Sequence, residues 1–78
     1  MYISVMFKDK NKVFKGKSYD FKLATSETPK VGSIIRMYNA DFTKVVCNAT
    51  RVKVMAVKET SDAAANEPIS YIETTLDD

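Results

Sequence analysis

Apolar and polar residues alternate from the start of the chain. In YISVMFK (residues 2–8), Ile3, Val5 and Phe7 fall on one side, with Tyr2, Ser4, Met6 and Lys8 on the other. A period of two marks a strand with one buried face. KDKNK (8–12) follows, and its Asp9 and Asn11 tolerate the tight backbone of a hairpin turn. Alternation resumes in SYDFKL (18–23), where Tyr19, Phe21 and Leu23 form the face predicted to be core and Ser18, Asp20 and Lys22 the polar one. Gly16, just upstream, marks a bulge or sharp bend. Residues 12–23 therefore read as one long bent strand or two short ones.

ATSETPKVG (24–32) is a polar loop in which Pro29 biases Thr28 away from helical backbone. SIIRMY (33–38) is a third β segment. NADFTKVVCNAT (39–50) is open to two readings. Asn39 caps a short helix presenting Phe42, Val45 and Val46, or Val45, Val46 and Cys47 belong to a strand; the first, or a loop, is preferred. RVKVMAVKE (51–59) is a strand that sets Val52, Val54 and Ala56 against Arg51, Lys53, Met55 and Val57. TSDAAANE (60–67) reads as a loop. PISYIETT (68–75) reads as a last strand opened by Pro68, a position where proline is tolerated. Residues 76–78 read as a frayed acidic terminus.

The chain thus predicts a mainly β fold: one domain over residues 1–78, a small curled sheet or barrel of five to six strands with at most a short helix. Both an SH3-like and an oligonucleotide-binding-like barrel fit this order of elements.

Composition narrows the function classes. With 78 residues, 45% of them hydrophobic and 28% charged, the chain is globular rather than disordered. Its core is thin, because a domain of this size buries only about 60% of its unfolded surface. Cys47 is the single cysteine and there is no histidine, which excludes a disulfide framework, a Cys/His zinc site and histidine acid–base chemistry. None of the ten carboxylates stands in an apolar stretch that would raise its pKa toward a working value, so no enzymatic site is expected, and neither metal nor cofactor. Apolar runs such as Val45–Cys47 are far short of the ~20 residues of a membrane span, and the N-terminus lacks the layout of a signal peptide. A cytoplasmic protein without a membrane partner is expected.

Charge is divided along the chain. All twelve lysines and arginines lie in residues 1–58 against four acids, a formal +8, whereas residues 59–78 carry six acids and no base, a formal −6. Such asymmetry marks either a polyanion-binding face or a basic body neutralised by its own acidic end.

Gly16-Lys17-Ser18 is the tail of a phosphate-binding loop, but the pattern needs glycine at position 11, where Asn11 stands, and a helix where a strand follows. Asn48-Ala49-Thr50 matches a glycosylation acceptor; without a secretory signal it reads as the turn into the strand at Arg51. The nucleic-acid-binding candidates are Lys8, Lys10, Lys12, Lys15 and Lys17, with Arg51 and Lys53 as extensions and Arg36 beside them if their strands neighbour the first hairpin. Phe14, Tyr2 and Tyr38 are the aromatics placed to stack on bases. The alternative role for the lysines is to keep a hairpin soluble and to blunt a sheet edge.

The order strand, basic turn, KSYDFKL, loop, PKVGSIIRMY, spacer, RVKVMAVKE resembles the short curled-sheet proteins encoded by phages and prophages of low-GC bacteria. More distantly, it is similar to the small N-terminal DNA-binding barrel of the replication-restart helicase. Tyr19, Phe21, Val31-Gly32 before Ile34 and Ile35, and the valines at 52, 54 and 57 carry the resemblance. It implies an accessory module that binds a macromolecule. Three readings follow: a non-enzymatic module engaging a protein partner through a sheet face or an edge at residues 2–8 or 69–75, which leads; a nucleic-acid-binding barrel using the basic hairpin; and a self-associating homo-oligomer.

Overall fold

The structure is a computed structural model that describes residues 1–8, 11–61 and 67–75. Among these residues five strands form one sheet: β1 (Tyr2–Lys8), β2 (Phe14–Lys22), β3 (Ile34–Asn39), β4 (Arg51–Lys58) and β5 (Ile69–Thr74). Their order across the sheet is β2-β1-β4-β3-β5, and every pairing is antiparallel. The expected residues 76–78 terminus lies outside the described residues, as does most of the 60–67 loop.

Among the described residues no helix packs on this sheet, and its apolar face is covered by the sheet's own curl. The inner face carries Ile3 and Val5 from β1, Val52 and Val54 from β4, and Ile35 and Met37 from β3, all fully buried. Ile69 and Leu23 complete the core, with Phe7, Phe21, Val46, Cys47, Val57 and Tyr71 packed against it. The curl brings the two outermost strands together at one corner. Leu23, just past β2, makes a parallel bridge with Ile69, and the Ala24 amide donates to the Ile69 carbonyl at 2.7 Å. Elsewhere among the described residues the edges stay apart, and the sheet is not closed into a barrel.

Two irregularities produce the bend. Between Met6 and Lys8 the β1–β2 register slips, with Ser18 opposite Met6 but Phe14 opposite Lys8. Gly16 sits in that interval at φ +94°, a conformation that disfavours side chains, so the expected bulge is present. On the other flank of β1, Ser4 opposes Ala56 while Val5 opposes Val54, leaving Met55 as an extra residue. Met55 corrects the expected alternation in β4: past it Val57 packs on the core, and Ala56 lies beside Ser4 on the outer face.

Two further expectations change, and the stretch left open at 39–50 takes its preferred form, a loop with a short helical turn. Residues 2–8 are not an edge, because β1 is paired on both flanks; the edges are β2 and β5. Tyr19 has the inward register of Val5 but remains 52% exposed, since an edge strand has a neighbour on one side only. Residues 40–46 form a loop, which adds an isolated bridge between Tyr38 and Val45. A short 3-10 turn, Cys47–Ala49, follows it and leads into β4, with Cys47 and Asn48 both at left-handed φ (57° and 56°).

Candidate nucleic-acid interface

The outer face follows from the same registers. Because Ile35 and Val52 oppose each other on the inner face, their neighbours Arg36 and Arg51 oppose each other on the outer one. Lys53 is flanked by Ile34 of β3 and Met6 of β1. Phe7 pairs with Val52, so Lys8 comes one step further along the same ladder, beside Arg51. Lys8, Lys53, Arg51 and Arg36 therefore gather on one side of three adjacent strands, β1, β4 and β3. Neighbouring strands lie about 4.8 Å apart, so the group spans about 10 Å.

Four like charges at this spacing repel one another. The five strands hold two acids, Asp20 and Glu73; Glu73 pairs across from the inward Ile35, and Asp20 is engaged elsewhere. The Nε of Arg36 is buried and has no hydrogen-bond partner among the described residues. A buried guanidinium donor without an acceptor carries a desolvation cost that a bound anion would offset.

Aromatic rings border this basic group on two sides. Phe14 stands opposite Lys8, whose Nζ lies 5.9 Å from the ring centroid. Tyr38 lies two residues beyond Arg36 on the same side of β3, and its ring meets that of Phe42 at 5.5 Å between centroids and an angle of 48°. Phe42 is half exposed at 50% and adopts φ 61°. The loop that holds it is tied down by Asn39. Its Nδ2 donates to Thr43 Oγ1 at 2.7 Å, its Oδ1 accepts from the Lys44 amide at 2.9 Å, and its carbonyl accepts the Phe42 amide at 3.0 Å. The Asp41 carboxylate takes the Thr43 hydroxyl at 2.7 Å and the Thr43 amide at 3.2 Å. These bonds hold the Asp41 carboxyl below its usual range, the Thr43 hydroxyl contributing most.

At the other end of the outer face, Asp20 is the centre of a structural clamp. It accepts hydrogen bonds from Ser4, from Ser61 Oγ at 2.6 Å and from Lys58 Nζ at 3.1 Å, linking β1, β2 and β4 with residue 61. The Ser4 and Ser61 hydroxyls, and then the Lys58 ammonium, pull its carboxyl down to about 2 against a residual penalty from burial. An acid depressed in this way stays ionised and is a poor proton donor near neutrality. A shallow depression of about 420 Å³ near Asn39, Ala40, Asp41, Glu67 and Pro68 has acids on its rim and lies apart from the basic group.

The sequence-derived candidates therefore divide. Lys8, Arg51 and Lys53 come together, and Arg36 joins them. Lys15 and Lys17 are exposed on the edge strand around Gly16, Lys12 is exposed in the turn at φ 62°, and Lys10 lies outside the described residues. Of the stackers, Phe14 and Tyr38 border the basic group, while Tyr2 lies at the opposite end of β1, between Lys22 and Lys58. Phe42, named from the sequence only as part of a candidate short helix, was not among the stackers, since a loop aromatic carries no period. Among the described residues no cluster of His, Cys, Asp and Glu is arranged to hold a metal ion, and no helix is long and apolar enough to cross a membrane.

The class these features define is a five-stranded antiparallel curled sheet with one basic, aromatic-bordered face. No family model, no curated protein and no solved structure matches the chain.

Proposed function

We propose that the protein is a non-enzymatic binding module whose outer sheet face engages nucleic acid through Lys8, Arg36, Arg51 and Lys53. The observation that carries this reading is the juxtaposition of Arg36 and Arg51 on adjacent strands, between Lys8 and the Tyr38 ring. Phosphates neutralised by such a group release counterions, which gives affinity without sequence preference. The bridge of Leu23 to Ile69 supports placing the curled sheet with the small barrels, of the oligonucleotide-binding or SH3 type.

The test is fluorescence anisotropy of a labelled oligonucleotide across a salt series. With four basic groups engaged, log K should fall against log salt with a slope of about −3. Arg36→Glu and Lys53→Glu should abolish binding, whereas Lys12→Glu, away from the group, should leave it nearly unchanged. An affinity indifferent to salt, or to Arg36→Glu, overturns the reading.

The open edge of β5 favours a second reading, in which a protein partner adds a strand there; Ile72 on this edge is 49% exposed. Hydrogen exchange decides it: outward amides of residues 69–74 already fully protected in the free monomer leave no edge to occupy. Self-association through the same edge is checked by sedimentation, where a monomer at micromolar concentration rules it out.

A further inference from the structure

The rings around the basic group carry more information than its charge. Resting on the nucleic-acid reading above, we infer that the site takes single-stranded rather than duplex nucleic acid, with Phe42 and Tyr38 forming a platform on which unpaired bases stack.

Phe42 occupies a conformation that bulky residues seldom adopt, and glycine or asparagine would sit there at lower cost. Its ring nonetheless stays half exposed, so core packing does not account for it. The surrounding backbone amides of Phe42, Thr43 and Lys44 donate to Asn39 and Asp41, which fixes the backbone that presents the ring. A strained residue that is held in place and exposes its apolar group to solvent points to a ligand with an apolar face. Tyr38 supplies the adjoining ring, and it lies two residues, about 7 Å, from Arg36 along β3. Phosphate and base contacts thus adjoin, as a strand with splayed bases requires.

Phe14 sits at the far side of the basic group. From Phe14 on β2 to Arg36 on β3 the face crosses three strand spacings, about 14 Å. With the Tyr38–Phe42 pair beyond, the length suits about four nucleotides, the low end of what one small β domain covers. A duplex hides its base faces in the stack and would leave these rings without partners. Asp41 adjoins Phe42, and its carboxylate is occupied by Thr43.

Anisotropy titrations at low salt with three probes separate charge from stacking: a twelve-residue thymidine strand, a duplex of the same length, and a strand of abasic residues carrying the same phosphates. The thymidine strand should bind about 10-fold or more tightly than either of the others. Phe42→Ala should reduce its affinity about 10-fold while leaving the weaker abasic binding unchanged. Phe42→Asn, which suits the left-handed backbone, should behave the same, so a folding defect cannot account for the loss. Equal binding of all three probes, or unchanged affinity in both Phe42 variants while Arg36→Glu still abolishes binding, overturns the inference and leaves the nucleic-acid reading standing. No binding of any probe by the unaltered protein overturns both.

Discussion

Arg36 and Arg51 face each other directly across the β3–β4 ladder, two guanidinium side chains at one register on the outer side of the sheet. Like charges in this position lower the stability of the free fold. An anion bound between them would relieve that repulsion.

Replacing one partner should expose that trade. Arg36→Glu converts repulsion into attraction and should raise stability by about 0.5 kcal/mol, read as a higher urea midpoint at unchanged slope. The same variant should lose oligonucleotide binding. Lower stability combined with retained binding would contradict the account of this pair.

Asp20 should govern acid sensitivity. Its folded pKa, about 2, lies below the ordinary value of 3.8, so its contribution is present in full above the ordinary value and is lost as pH falls from about 4 through 2. Allowing for solvent screening, that contribution is roughly 1–2 kcal/mol. Asp20→Asn should lower stability at pH 7 by this amount and flatten the loss between pH 4 and 2. Urea titrations at several pH values check both.

The Phe42 backbone should be a source of strain. Phe42→Gly removes the side chain from a left-handed conformation and should stabilise the protein by about 1 kcal/mol, despite the loss of its contact with Tyr38. Thermal unfolding would show a higher midpoint. A lower one would mean that the ring contact outweighs the backbone cost.

Cys47 should be a slow thiol. It packs against the core, and burial pushes its pKa above the ordinary value, which reduces the reactive thiolate. Alkylation at pH 8, followed by mass, should run slower than for an unstructured cysteine peptide and accelerate in denaturant. Rates equal to the peptide's would place the thiol outside this packing.

What could be read from the sequence was what depends on period. Ile3, Val5, Val52 and Val54 alternate over several residues, so their strands and their burial were legible, as was the bulge at Gly16. Tyr19 alternates just as well and yet is exposed, because burial also depends on a second neighbouring strand, and strand order is a long-range property. The inserted Met55 was hidden for a related reason: a bulge is defined by the partner strand, and nothing within RVKVMAVKE declares it. Arg51 and Lys53 were legible as basic positions, but their meeting with Lys8 and Arg36 depends on β4 lying between β1 and β3. The placement of Phe42 beside Tyr38 was not legible, since it depends on a backbone angle and on the side chain of Asn39.

The strand order also dictates a sequence of assembly. β1 and β2 are neighbours in the chain, and their hairpin can form as soon as both have been synthesised, but the other flank of β1 is completed by residues 51–58. On the ribosome the N-terminal hairpin must therefore wait with Ile3 and Val5 uncovered and one row of amides and carbonyls unpaired. Non-local pairing of this kind slows folding, and until β4 arrives both flanks of the hairpin are edges, of which the β2 flank carries a run of lysines that would discourage pairing with other nascent copies and the β1 flank does not.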